Sequence, residues 1–153
     1  MKLHPYGNID PFKIPEIADR VLNDCWNIAE DLKIQTFLLY GTCLGFVRDG
    51  GYIEGDNDID IGVLEGLDVL TEGLIINGFV NKRTLGTATR HFFKDGILLD
   101  VWFGFFSRDF LQSFDKVEYK GRFFNVPHPV EEFLSASYGN WRIRVLNKKA
   151  LRC

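Results

Sequence analysis

The sequence has only three cysteines, and none of them forms a closely spaced C-x-x-C pair. Zinc knuckles and disulfide frameworks depend on such spacings, so the cysteine pattern argues against both kinds of site. An odd cysteine count in a chain with 14 phenylalanines also fits a reducing compartment.

Long apolar runs are also missing. No stretch approaches the ~18 consecutive apolar residues of a membrane-spanning helix. The first ten residues are polar and lack the apolar core that a signal peptide needs. We therefore expect a cytoplasmic protein without a transmembrane segment.

The chain has little net charge and no internal repeat. Its 18 basic and 21 acidic residues give a net charge of −3, whereas a dedicated nucleic-acid binder usually carries a basic surplus on one face. No low-complexity stretch or break in composition marks a second domain. We expect one small domain over residues 1–153, with a loosely ordered start at residues 1–12 and no nucleic-acid partner.

The first half of the chain shows alternating helix and strand signals. Residues 14–32 carry an apolar stripe at helical spacing, and residues 67–76 form a second helical pattern that ends at Asn77-Gly78. Short apolar runs at residues 36–40 and 59–63 predict buried strands. A short helix or turn is expected at residues 43–48.

The second half is dominated by hairpin signals. Asp95-Gly96 separates two strand-like runs at residues 90–94 and 97–103, and Lys120-Gly121 precedes a return strand at residues 122–126. Residues 130–138 read as a short helix after Pro129. This order of elements predicts an α+β domain with a mixed sheet.

Asp58 and Asp60 are separated by one residue, Ile59, at the second predicted strand. Side chains two residues apart point to the same face of a strand, so the two carboxylates would lie side by side. They repel each other unless a cation lies between them. Mg²⁺ takes one or two carboxylates and completes its shell with water and substrate phosphate. The pair predicts a site for Mg²⁺ or Mn²⁺.

Asp100 is a third acid, placed between apolar residues of the strand predicted at residues 97–103. A charge in the middle of such a strand is costly without a partner. A metal shared with Asp58 and Asp60 would supply that partner. Three carboxylates around two metal ions are suited to in-line attack at phosphorus.

An isolated D-x-D pattern is weak evidence, because Asp-rich segments are more often solvated turns. The residues upstream strengthen the prediction. Gly41 lets backbone N–H groups approach a phosphate, and Thr42 offers a hydroxyl where a helix dipole favours anions. Arg48 could clamp a phosphate oxygen, although an ion pair with Asp49 or Glu54 is the alternative for this residue.

Three runs of residues resemble the signature of the LicD and fukutin-related group: LYGTCLGFVR at 39–48, GGYI at 50–53 and DNDIDIG at 56–62. The segment from 126 to 141 is similar to the C-terminal motif of that group. The resemblance implies the fold of the polymerase-β-like nucleotidyltransferase superfamily. This is a palm-type mixed β-sheet packed by helices.

The resemblance also implies an activity. Members of the group transfer a phospho-substituent, such as phosphocholine or an alditol phosphate, from a CDP-linked donor to a hydroxyl of a glycan or polyol. By position, the metal ligands would be Asp58, Asp60 and Asp100, with Asp100 also the candidate base for the acceptor hydroxyl. Gly41 and Thr42 would bind donor phosphate.

Two other functions stay open at this point. A nucleotidyltransferase that places AMP or UMP from an NTP on a hydroxyl would use the same three acids. An inactive member of the group would bind nucleotide without turnover, although the intact acids count against it.

Several basic residues are further candidates. Arg90 and His91 open the strand before the Asp100 strand, and we take Arg90 as a phosphate-binding candidate; either residue could instead be a satisfied surface residue. Lys82 and Arg83 are a second basic pair, in a position that is usually solvated. Trp141 is more typical of an anchor to the core than of a substrate contact.

Overall fold

The computed structural model describes residues 11–82, 88–104 and 106–144. Of the segment expected to be loosely ordered, residues 1–10 lie outside the described residues. The helices are α1 (Pro15–Asp31), α2 (Tyr40–Asp49), α3 (Leu67–Ile76) and α4 (Val130–Tyr138). The strands are β1 (Thr36–Leu38), β2 (Asp58–Val63), β3 (Val80–Lys82), β4 (Thr89–Lys94), β5 (Ile97–Trp102), β6 (Phe114–Tyr119) and β7 (Arg122–Pro127).

The chain divides into two compact units. The sheet unit comprises Met1–Thr36 and Glu54–Phe105, and the hairpin unit comprises Phe37–Ile53 and Phe106–Cys153. Strand β1 spans the boundary between them. The expectation of a single domain over the whole chain stays a prediction.

In the sheet unit, four strands run in the order β2-β5-β4-β3. Strand β2 is parallel to β5, whereas β5–β4 and β4–β3 are antiparallel, so the expected mixed sheet is confirmed. Asp95 and Gly96 both have positive φ, as a two-residue hairpin turn of type I′ requires. Strand β3 was not predicted, because its three residues are all exposed and show no alternation.

One face of this sheet is apolar. Ile59 and Ile61 on β2 and Leu99 and Val101 on β5 are fully buried. Strand side chains alternate between faces, so the residues between them point the other way. The expected inward orientation of the two isoleucines is confirmed, and the flanking aspartates share the opposite face.

Helix α1 begins with a proline in its first turn, where the missing N–H is harmless. Its predicted stripe is confirmed at Ile17, Val21 and Cys25, which are buried. Leu32 was expected in the stripe but is 39% exposed, because the helix ends at Asp31. None of the described helices is both long enough and apolar enough to cross a membrane.

The hairpin unit contains α2, α4 and the β6–β7 hairpin, whose turn is the predicted Lys120-Gly121. Phe46 of α2 stacks on Tyr119 with ring centroids 4.5 Å apart and meets Tyr52 edge-on at 5.2 Å. Helix α2 starts at Tyr40, three residues earlier than expected. It ends at Asp49, and the capping residue Gly50 adopts the left-handed conformation that glycine favours.

Gly45 lies where α2 meets the chain that follows it. A Cβ at this position would lie 2.5 Å from the carbonyl oxygen of Gly51 and 3.0 Å from the Ile53 side chain. The first distance is far below van der Waals contact, and its partner is backbone that cannot move aside easily. Glycine is therefore required here by a close approach.

We predict that Gly45→Ala destabilises the protein by about 1–3 kcal/mol, the range for overpacking, despite the better helix propensity of alanine. Urea unfolding followed by circular dichroism measures the change. Gly51→Ala is the matched control, since its Cβ would make only an ordinary 3.5 Å contact with Tyr119. Equal stability of the two variants would contradict the assignment.

Candidate metal centre

The structure brings the three predicted acids together. Asp58 and Asp60 lie on β2, Asp100 lies on β5, and the parallel register places Asp60 directly beside Asp100. One carboxylate oxygen from each residue lies within 4.8 Å of those of the other two. The sheet therefore gathers three acids from two strands into one cluster.

Burial makes it energetically unfavourable for the three acids to be charged together in the absence of a cation. Asp60 is 1% exposed and Asp100 is 7% exposed, while Asp58 is half-buried. Like charges this close repel each other strongly when water is excluded. A hard divalent cation compensates such charges, and three carboxylates are a donor set that fits Mg²⁺ or Mn²⁺. The residues present therefore fit the expected metal.

Two aromatic rings contact the buried acids. The indole Nε1–H of Trp102 donates a hydrogen bond of 3.1 Å to Oδ1 of Asp60. Nδ1 of His91 lies in hydrogen-bond contact with Oδ1 of Asp100. Both acids that are removed from water are thus held by a ring nitrogen from the sheet itself.

The pKa of Asp100 is raised from its ordinary value of 3.8 to about 6. Burial is the main cause, because it disfavours the charged carboxylate. The hydrogen bond and charge of His91 lower the pKa, and the neighbouring charge of Asp58 raises it again. Below about pH 6, the carboxyl of Asp100 therefore holds a proton that a metal must displace.

We predict that Mg²⁺ affinity falls about tenfold per pH unit below 6, since binding then releases one proton from Asp100. An ordinary aspartate would keep its affinity down to about pH 4. Midpoints of thermal unfolding across Mg²⁺ titrations, at about pH 7.5 and about pH 5, measure the apparent affinity. Asp100→Asn removes both a ligand and the titrating group, so it should bind Mg²⁺ more weakly at both pH values and lose most of the pH dependence. Unchanged wild-type affinity at the lower pH would refute the prediction.

Arg90 does not join the acids, although it was a phosphate-binding candidate. It lies opposite Val101 in the hairpin register and therefore points to the apolar face. There its guanidinium donates to the Thr71 hydroxyl and pairs with Asp68 of α3, each at 2.9 Å. Arg90 thus has hydrogen-bond and ion-pair partners away from the acids, which agrees with the alternative interpretation of a satisfied surface residue. We therefore leave Arg90 out of the proposed site.

His91 is the residue of this pair that reaches the cluster. The two-residue turn sets Lys94 opposite Ile97, and counting back along both strands places His91 opposite Asp100. That register could have been read from the hairpin signal alone. Trp102 was missed as a site residue, although its position two residues after Asp100 places it on the same face.

We call the face of the sheet that carries the three acids the metal face. Lys82 lies on this face, at the outer edge of the sheet. It is in register with His91, and its Nζ is 4.6 Å from the centre of the Phe93 ring. Lys82 is exposed, as expected for a strand end. Arg83, the second member of this basic pair, lies outside the described residues.

Gly41, Thr42 and Arg48 belong to the hairpin unit. Gly41 and Thr42 are buried in the first turn of α2, and their expected contact with donor phosphate stays a prediction.

The guanidinium of Arg48 donates hydrogen bonds to residues of the hairpin unit. Its Nε and Nη2 donate to both carboxylate oxygens of Asp49 at 2.9 and 3.0 Å, and its Nη1 donates to the Trp141 carbonyl at 3.3 Å. This ion pair also lowers the pKa of Asp49. These contacts hold the guanidinium against residues of the hairpin unit, and we leave Arg48 out of the proposed site. Trp141 is buried, as expected of an anchor.

Residues 33–88 match the family model described as LicD/FKTN/FKRP, nucleotidyltransferase domain. The resemblance inferred from the signature residues is thereby confirmed over this range. The matched range contains Asp58 and Asp60 and ends before Asp100. No curated protein matches the chain by sequence.

Several solved structures share the fold. The lincosamide antibiotic adenylyltransferase LnuA, solved with lincomycin bound, is 16% identical and superposes with a TM-score of 0.57, covering 74% of this chain and 82% of its own. The antibiotic-resistance factor ANT(2″)-Ia in solution is 12% identical, with a TM-score of 0.58 and coverages of 88% and 80%.

A putative nucleotidyltransferase from Thermotoga maritima is 18% identical, with a TM-score of 0.55 and coverages of 76% and 81%. The expected nucleotidyltransferase fold is therefore confirmed. Together with the family match, it supports a transferase of nucleotidyl or other phosphorus-containing groups.

Proposed function

We propose that this chain is a Mg²⁺-dependent transferase that moves a phospho-substituent from a CDP-linked donor to a hydroxyl of a glycan or polyol. The observation that carries metal-dependent phosphoryl-type transfer is the cluster of Asp58, Asp60 and Asp100, whose ligand oxygens lie within 4.8 Å of one another. Two of these acids fall inside the range that matches the LicD family model.

The reaction has a simple balance. An acceptor hydroxyl attacks the phosphorus that carries the substituent, the bond from that phosphorus to the bridging oxygen breaks, and CMP leaves. The hydroxyl proton goes to a base, for which Asp100 is the candidate. Divalent ions, when bound, supply charge compensation for the donor phosphates and align attacking and leaving oxygens.

The side chains of the protein contribute to the reaction by holding the three carboxylates in position. Asp60 and Asp100 are fixed side by side by the strand register, and Asp58 extends the cluster along β2. Because the ligands lie on two hydrogen-bonded strands, their relative positions are set before the metal and donor bind. Preorganised charges of this kind are commonly the largest single contribution to catalysis.

Nucleotidyl transfer from an NTP is the second candidate. The observation that favours it is the fold shared with LnuA, which is an adenylyltransferase. In that reaction the hydroxyl attacks the α-phosphorus, and pyrophosphate leaves in place of CMP. The same three acids would serve both reactions, so the leaving group distinguishes them.

Product analysis tests the proposal. The chain is incubated with Mg²⁺, a panel of CDP-linked choline, glycerol and ribitol donors, and glycan or polyol acceptors, and CMP release is measured. We predict CMP release that depends on both metal and acceptor. Asp58→Ala should lower the rate roughly 100- to 1,000-fold, because it removes a ligand of the metal that compensates the transition-state charge, and losses of this size are typical when one such electrostatic contribution is removed.

Asp68→Ala is the matched control, because it removes an 89% exposed carboxylate from α3 of the same unit. It should keep the wild-type rate. Pyrophosphate release from an NTP without CMP release from any CDP-linked donor would establish the second candidate instead. Metal and nucleotide binding without either product would indicate an inactive binding protein.

A further inference from the structure

We propose that Trp102 and His91 are positioning residues that orient the two buried carboxylates and favour Mg²⁺ over the larger Ca²⁺. This inference rests on the proposed function, because it assumes that the acids bind a divalent ion. It assigns roles to two side chains beyond the three acids themselves.

Trp102 is placed for this role by the register of the sheet. It lies opposite Gly62, which has no side chain, and Asp60 precedes Gly62 by two residues on the same face. The indole can therefore extend along β2 and donate its Nε1–H to Oδ1 of Asp60 at 3.1 Å. An indole N–H can only donate, so Oδ1 of Asp60 is the acceptor in this contact.

His91 contacts the second buried acid, Asp100, through a ring nitrogen in the same way. The two residues are opposite each other across the β4–β5 pair, and Nδ1 of His91 contacts Oδ1 of Asp100. Asp60 and Asp100 thus each have one oxygen in contact with a ring nitrogen. Groups that hold metal ligands in this way typically contribute 10- to 100-fold to metal affinity.

The ring contacts of Oδ1 in Asp60 and in Asp100 affect whether the site prefers Mg²⁺ or Ca²⁺. An oxygen that already contacts a ring nitrogen is a poorer second ligand atom, so binding through both oxygens of one carboxylate is disfavoured. Ca²⁺ takes six to eight oxygen ligands and commonly uses both oxygens of a carboxylate, whereas Mg²⁺ needs six in a compact octahedron. The two rings therefore penalise Ca²⁺ more than Mg²⁺.

Metal titrations of the full chain test the proposal, with Mg²⁺ and Ca²⁺ added separately at about pH 7.5. Trp102→Phe keeps an aromatic ring but removes the donor. We predict that its Mg²⁺ affinity falls tenfold or more, and that its preference for Mg²⁺ over Ca²⁺ decreases. Apparent affinities come from thermal unfolding midpoints, and circular dichroism verifies the fold.

Trp26→Phe, which alters a buried tryptophan of α1 in the same unit, is the matched control and should leave both affinities unchanged. At the second position, His91→Phe should behave like Trp102→Phe. His91→Asn should retain most of the Mg²⁺ affinity, because its amide can still donate near the position of Nδ1. Rescue by asparagine separates positioning from simple packing.

The outcomes distinguish this inference from the proposed function. A wild-type chain whose stability does not respond to Mg²⁺ would overturn both. A wild-type response with unchanged Mg²⁺ affinity in Trp102→Phe would overturn the positioning role alone. Equal losses of Mg²⁺ and Ca²⁺ affinity would overturn the proposed preference for Mg²⁺, since the two rings would then support both ions alike.

Discussion

Electrostatic repulsion among three carboxylates is the constraint on which the site depends. Asp58, Asp60 and Asp100 hold their ligand oxygens within 4.8 Å of one another, and two of the three are almost completely removed from water. Without a metal, Asp100 keeps its proton up to a higher pH than an ordinary aspartate, because burial and, to a smaller extent, the charge of Asp58 raise its pKa to about 6. A bound divalent ion removes the same repulsion, so the cluster favours metal binding.

The sheet unit provides this arrangement through strand register and alternation. The fully buried side chains of β2 and β5 form the apolar face, and that packing directs every intervening residue to the metal face. A shift of one residue would exchange the faces and bury the aspartates in the core. The apolar residues that stabilise the sheet therefore also determine where the acids point, and Trp102 and His91 then contact those acids from the same face.

The sequence alone predicted those features of the fold and the site that depend on neighbouring residues. The Asp58/Asp60 spacing, the apolar neighbours of Asp100 and the Asp95-Gly96 turn each predicted a feature that the structure contains. Arg90 and His91 were both candidates because they open the strand paired with the Asp100 strand, but neighbouring residues of a strand face opposite sides. For Arg48, the ion pair with the adjacent Asp49 was one of the alternatives that the sequence offered, whereas the contact with the Trp141 carbonyl joins residues 93 positions apart and was not predicted. Long-range partners of this kind follow from tertiary packing and leave no pattern along the chain.

Anomalous diffraction from crystals grown with Mn²⁺ tests the central claim most directly. Mn²⁺ has an oxygen-ligand preference similar to that of Mg²⁺ and scatters anomalously, so its position can be located without assumptions about activity. We expect a peak within coordination distance of Asp58, Asp60 and Asp100. A fully occupied Mn²⁺ elsewhere on the protein, with no peak at these three carboxylates, would contradict the account.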